Sequence, residues 1–422
     1  MSNLFGVFFL LLIFITIFAS KTLIFMEELY RISERLVGNV SSDIHRYFYN
    51  RLEWDLPMIC IKGAKGIGKS TSFLQYISEH FNGNEAVYVS LDHIWFSEHR
   101  LMELVDFHYT HGGTHIFLDE VHRYPYKNWM QELKNITDSY PDLHIAFTGS
   151  SLLKIDRSVA DLSRRCIFYD LQGLSFREYL KFEGVGDFPV LTLDDILANH
   201  VEIARSIAKS IRPLKHFSDY LSVGYYPYYK QHPNTYHIAI QQTVSAIIDE
   251  DIRAVANVET ITVKKIKHLL LILSQMIPFS PNITKLGQVI EATRNQTVGI
   301  LQLLQKAALI HNLYSAPDNM SQLTKPEKIY MENSNLMHAL SSNVDKGNDR
   351  ETFFANQVKE CHTVNCSKSG DFIIDGKYIV EVGGKNKNFD QIKDLPDSYI
   401  ASDDIEIGFG NRIPLWLFGF LY

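Results

Sequence analysis

Residues Gly63, Ala64, Lys65, Gly66, Ile67, Gly68, Lys69 and Ser70 read G-x-x-x-x-G-K-S, with the hydroxyl of Thr71 behind them. Glycines at 63, 66 and 68 let the backbone approach a polyphosphate and turn its amides toward it, and a helix starting near Lys69 adds its N-terminal dipole. Lys69 supplies positive charge to the β- and γ-phosphates, Ser70 a hydroxyl to Mg²⁺ and Thr71 a contact for the α-phosphate. The chemistry is that of holding and cleaving ATP with Mg²⁺. Downstream, an apolar run ends in Asp119-Glu120. Asp119 suits Mg²⁺ through water, and Glu120 suits the attacking water. Thr148 and Ser150 are candidate γ-phosphate sensors, against a plain turn at a strand end. Arg165, ahead of Arg164, is a candidate arginine finger, against an ordinary surface arginine.

These residues need a sheet rim to bring them together. Short apolar runs at 58–62, 86–91, 115–119, 144–149 and 166–171 alternate with helical or polar stretches, the pattern of a parallel sheet covered on both faces. The expected fold class is α/β, a three-layer P-loop core. From 175 to about 255 the pattern turns helical, with a break at G-Y-Y-P-Y-Y (224–229). Residues 263–313 read as three helices, the layout of a helix-turn-helix or winged-helix unit. Strands return from Lys328 in K-I-Y-M-E, D-F-I-I, K-Y-I-V-E-V and P-L-W-L-F-G-F, as a separate α+β domain.

At 422 residues the chain is long enough for two to four domains, and its composition is that of a folded protein. A net charge of −7 makes no case for wholesale nucleic-acid binding, although a local basic face is compatible with it. Four cysteines make no disulfide scaffold, and Cys361 and Cys366 lack a second pair for a zinc site, so free thiols are expected. Residues 1–25 are apolar up to Lys21 and read in two ways. Either 4–25 tether a cytoplasmic protein to the inner face of a membrane, or the chain starts at Met26.

The phosphate loop, I-F-L-D-E, Trp129, F-T-G-S-S, L-S-F-R-E-Y-L and the G-Y-Y-P segment together resemble the AAA-type ATPases of bacteria and archaea whose C-terminal half carries a DUF4143 module. The resemblance covers about 26–422. It implies an ATPase core of the ASCE type (26–180), a helical lid (181–255), a winged helix (256–322) and a restriction-endonuclease-like α+β domain (323–422), with 1–25 as a leader. L-S-R-R stands where the family has L-x-G-R, which weakens the assignment of Arg165. In the nuclease-like domain Glu351, Asp371 and Glu381 match the metal-binding acids in order and spacing. The expected lysine is absent, since residue 383 is Gly; Lys385 or Lys387 would have to reach back, and an inactive fold is the favoured alternative. The implied partners are ATP, a second copy of the chain if the arginine acts in trans, and DNA or protein at the winged helix. Lys264, Lys265, Lys267, Arg294 and Lys306 are the candidate DNA contacts.

Overall fold

The computed structural model describes residues 26–149, 162, 164–256, 258–275, 281–315 and 325–422. They divide into two compact units. The first is built from the described residues within 1–62, 68–150 and 154–171, the second from those within 63–67, 151–153 and 172–422.

In the first unit a helix over 26–38 (α1) precedes β1 (Met58–Gly63), α2 (Lys69–His80), β2 (Ala86–Ser90), α3 (Leu101–Thr110), β3 (His115–Asp119), α4 (Trp129–Ser139), β4 (His144–Gly149) and β5 (Ile167–Leu171). The sheet order is β2-β3-β4-β1-β5, and the β2–β3, β3–β4 and β4–β1 pairs are parallel. The chain crosses from β1 to β2 in one direction and returns through β3 and β4 in the other. Right-handed crossovers therefore put α2 on one face and α3 and α4 on the opposite face. That is the expected three-layer P-loop core. Burial on both faces explains why Met58, Ile59, Cys60 and Ile61 are apolar in succession rather than alternating. Within this core His108 is fully buried between the Tyr30 hydroxyl (2.7 Å to Nδ1) and the His115 carbonyl (2.9 Å to Nε2). Nε2 is thus the protonated nitrogen, and burial holds the ring neutral with a pKa lowered to about 4.

The second unit begins with α5 (Phe176–Phe182), α6 (Leu193–Ala208), α7 (Pro213–Val223) and α8 (Tyr236–Ala246). Then come α9 (Thr260–Gln275), α10 (Ile283–Val289), α11 (Arg294–Lys306), β6 (Ile310–Leu313), β7 (Lys328–Met331), α12 (Ser334–Leu340) and α13 (Lys346–Val358). The remaining strands are β8 (Val364–Cys366), β9 (Phe372–Ile374), β10 (Tyr378–Gly383), β11 (Ser398–Ser402) and β12 (Arg412–Pro414). They form a mixed sheet in the order β12-β11-β10-β9-β8. The β9–β10 hairpin turns at Asp375-Gly376, where φ values of 51° and 67° supply the two left-handed residues of a type I′ turn.

Two stretches differ from the sequence reading. The third helix expected within 263–313 ends early: α11 stops at Lys306, Ala308 takes φ 53°, and Ile310–Leu313 form β6, antiparallel to β7. That pairing crosses the expected boundary at 322/323. P-L-W-L-F-G-F is not a strand: β12 ends at Pro414, and Leu415–Phe420 form a buried 3-10 helix. A run apolar on every side carries no period to tell the two apart.

Two of the motifs that carry the resemblance hold the second unit together. Ser175 and Arg177 of S-F-R-E-Y-L donate to the carbonyl of Tyr422 at 2.7 and 2.9 Å, while Ser175 and Glu178 close a capping box on α5. In G-Y-Y-P-Y-Y, the Tyr225 amide donates to Asn335 Oδ1 at 2.8 Å, and Asn333 donates to the Tyr226 hydroxyl at 3.1 Å.

Candidate functional site

The loop after β1 has φ 85° at Gly66 and 101° at Gly68, conformations that side chains with a Cβ rarely adopt. Gly68 is the N-cap of α2 and makes no side-chain cap, so no side chain of the cap stands between the start of the helix and an anion. Lys69 lies buried at the helix start, Ser70 is half-buried and Thr71 is exposed.

β3 ends in Asp119 and is separated from β1 by one strand, β4. Asp119 is 5% exposed, so an ionised carboxylate there needs donors. Oδ2 accepts a hydrogen bond of 2.6 Å from the Tyr88 hydroxyl, and Oδ1 accepts one from Thr148. The Tyr88 hydroxyl also bonds to Ser70. One phenol therefore joins the hydroxyl of the phosphate-loop helix to the carboxylate of β3. Burial first, and then the Asp119 charge, push the Tyr88 pKa far up, so it remains a neutral donor.

Glu120 takes φ 53° and ψ 42°, a left-handed conformation costly for a non-glycine residue. Its amide donates to Thr148 Oγ1 at 3.4 Å, and its Oε2 lies 3.2 Å from Nε2 of the buried His122. The turn swings the carboxylate away from the line of β3 and braces it against a ring. Thr148 thus holds Asp119 and the Glu120 backbone from beneath. Its hydroxyl is already engaged, so its observed work is positioning rather than phosphate sensing. Ser150 lies outside the described residues.

Arg165 is not brought to this cluster. It grips Asp138 through two parallel bonds of 3.0 and 3.1 Å. Asp138 ends α4, which leads into the start of β4, whereas the phosphate loop follows the end of the parallel strand β1. The two lie at opposite rims of the sheet.

The second unit collects the C-terminal acids. Lys328 Nζ lies 2.8 Å from Asp371 Oδ1 and 3.3 Å from Glu351 Oε2, and the Tyr330 hydroxyl donates to Glu351 at 2.6 Å. Asp371 Oδ2 accepts the Val382 amide at 2.9 Å. Lys387, not the exposed Lys385, reaches Glu381, at 2.6 Å. Gly383 permits this: a Cβ there would lie 2.7–2.8 Å from the Lys387 stem, which fills the space of a residue-383 side chain. Burial, with the Asp371 charge second, raises the pKa of Glu351; burial also raises that of Glu381. Among the described residues no group of three or more His, Cys, Asp and Glu side chains is placed to hold a metal ion. Here the ammonium of Lys328 takes the position between two of the acids.

The basic residues of the three-helix segment are partly committed elsewhere. Lys267 pairs with Asp249 at 2.7 Å, and Lys265 donates to the Glu291 carbonyl; Lys264, Arg294 and Lys306 are exposed. Tyr88, His122 and Lys328 escaped the sequence reading. Tyr88 alone carried a signal, a hydroxyl inside an otherwise apolar strand two residues before the position that pairs with Asp119.

Among family models, residues 55–180 match an AAA domain, and residues 214–347 match a domain of unknown function, DUF8612. The second match covers part of the segment read as lid, all of that read as winged helix and only the first residues of 323–422, where the resemblance implied DUF4143. An uncharacterized protein of Methanocaldococcus jannaschii is 25% identical over 289 residues, which are 64% of this chain and 60% of that protein. The chain thus spans about 60% of the length of that relative. Similar solved structures include PCH-2 of C. elegans (13% identity, TM-score 0.24, 67% of this chain and 66% of that one). The ADP complex of S. cerevisiae Hsp104 is another (14% identity, TM-score 0.28, 65% of this chain and 41% of that one). No helix among the described residues is long and apolar enough to cross a membrane, and residues 1–25 lie outside them.

Proposed function

We propose that this chain, whose first unit carries the α/β fold of AAA-type P-loop ATPases, binds ATP with Mg²⁺ and hydrolyses it, using the cycle as a conformational switch. The observation that carries this reading is the Tyr88 hydroxyl shared by Ser70 and Asp119 beside a strained Glu120. A hydroxyl and a carboxylate are hard oxygen donors, which fits Mg²⁺ held largely by the nucleotide's own phosphates. Bound there, Mg²⁺ would neutralise phosphate charge. Ser70 and Asp119 would hold it, Lys69 and the loop amides would hold the phosphates, and Glu120 would orient and deprotonate the attacking water. Arg165 enters the reading only through a second copy of the chain, because its own site lies at the other rim of the sheet. The test is phosphate release from ATP by the purified chain, which should require Mg²⁺ and stop on chelation by EDTA.

In this reading 26–180 is the ATPase core and 181–255 the lid. Residues 256–322 are a winged-helix unit for DNA or protein, and 323–422 are the DUF4143-like, nuclease-like domain. The α9-α10-α11-β6-β7 order supports the third of these assignments.

A second reading, an ATP-gated DNA endonuclease, draws support from the convergence of Glu351, Asp371, Glu381 and Lys387. Lys328 stands against it in the conformation described, because its ammonium already satisfies two of the acids. Replacing Lys328 with Met is expected to tighten Mn²⁺ binding, measured by calorimetry, at least about tenfold by leaving two carboxylates uncompensated. Unchanged Mn²⁺ binding would mean that Lys328 does not occupy a cation position.

A further inference from the structure

Residues 205–216, at the junction of α6 and α7, read R-S-I-A-K-S-I-R-P-L-K-H. Lys209, Arg212, Lys215 and His216 line an open concavity of about 540 Å³ together with Ser210 and Val185. Three other lysines of the second unit have acid partners: Lys181 with Asp187, Lys230 with Glu183 and Lys267 with Asp249. Among the described residues, the side chains of Arg205, Lys209, Arg212, Lys215 and His216 have no carboxylate within 4.0 Å. An uncompensated row of like charge repels itself, and the cost is relieved when an anion enters. In a chain of net charge −7, this cluster runs against the overall balance.

We propose that this junction is a binding site for the phosphate backbone of a nucleic acid. One phosphate is satisfied by two or three donors, whereas the row continues beyond the concavity to Arg205. That residue lies one turn before Lys209, about 6 Å along α6, so the cationic track is longer than a single anion. A bilayer surface is disfavoured because none of the exposed large apolar residues falls between 205 and 216, leaving nothing to enter the acyl boundary. No exposed aromatic lies in the segment either, since Phe217 is buried. Bases therefore have no stacking platform, and recognition rests on backbone charge without sequence preference. The site is separate from the basic residues of α9 and α11.

The test is fluorescence anisotropy of a labelled duplex of about 20 base pairs with the full chain, without nucleotide, at two or more salt concentrations. The comparison is a variant carrying Lys209→Ala, Arg212→Ala and Lys215→Ala. All three side chains are exposed, so the melting temperature and the rate of phosphate release should match the parent. The expected result is at least about a tenfold loss of affinity at low salt and a salt slope smaller by about three, one for each lost phosphate contact. Equal affinity and slope in parent and variant would overturn the proposal. So would binding of the parent to phosphatidylserine vesicles but not to the duplex, with the vesicle binding lost in the variant. Because nucleotide is omitted, failure here would leave the ATPase reading untouched.

Discussion

Replacing Glu120 with Gln is expected to leave MgATP binding within a few-fold of the parent while lowering turnover by a factor of about 10²–10⁴. The two effects separate because Glu120 lies outside the phosphate cradle. The loop glycines, Lys69 and Ser70 precede α2 or begin it, whereas Glu120 follows β3 in a left-handed turn. The amide of Gln keeps the length of the side chain and one oxygen, so the turn and the contact with His122 survive. What is lost is the capacity to take a proton from water. Strain points the same way, since a glutamate held at φ 53° sacrifices local stability for placement of its carboxylate. Calorimetric titration with MgATP and a coupled phosphate-release assay on the same preparation separate binding from turnover. A turnover rate within about tenfold of the parent would remove Glu120 from the mechanism.

Asn335→Ala is expected to destabilise the second unit by about 3–5 kcal/mol, with little effect on the first. Asn335 is fully buried and meets four groups. Its Oδ1 accepts from the Tyr225 amide at 2.8 Å and the Tyr236 hydroxyl at 2.5 Å; its Nδ2 donates to the carbonyls of Tyr220 at 3.0 Å and Leu221 at 2.8 Å. Alanine would strand all four in a dry interior, and each orphaned group costs about 1–3 kcal/mol, offset in part where Tyr236 finds another partner. Of the four tryptophans only Trp416 belongs to the second unit, so its emission isolates that unit once Trp54, Trp95 and Trp129 are Phe. Urea unfolding followed by that signal should show the loss. A change below about 1 kcal/mol would mean that the network is not cooperative.

The parts of the site that follow from local chain geometry were readable from the sequence. A buried strand, a glycine loop and a helix opening on Lys-Ser occur in one short segment, and the apolar run of β3 delivers Asp119-Glu120 directly. Groups brought in from elsewhere were not. Tyr88 joins Ser70 to Asp119 from a third strand, and Lys328 reaches Glu351 and Asp371 across 23 and 43 residues of chain. Lys387 illustrates the intermediate case: its charge and proximity to Glu381 are visible in the sequence, but its preference over Lys385 depends on the stem folding across Gly383. The two misread elements have causes of their own. Leu415–Phe420 lies in the interior, where continuous apolarity erases the alternation that tells strand from helix. Ile310–Leu313 is a four-residue strand, too short to show a period of its own so soon after the end of α11.

The central claim is that Lys69 and its loop hold the phosphates of ATP for hydrolysis at the rim shared with Asp119. Steady-state phosphate release with saturating ATP and Mg²⁺, compared between the parent and Lys69→Ala, tests it most directly. The predicted result is measurable turnover in the parent and a fall of about 10²–10³ or more in the variant. Equal rates in the two proteins, or no turnover in a folded parent, would contradict it.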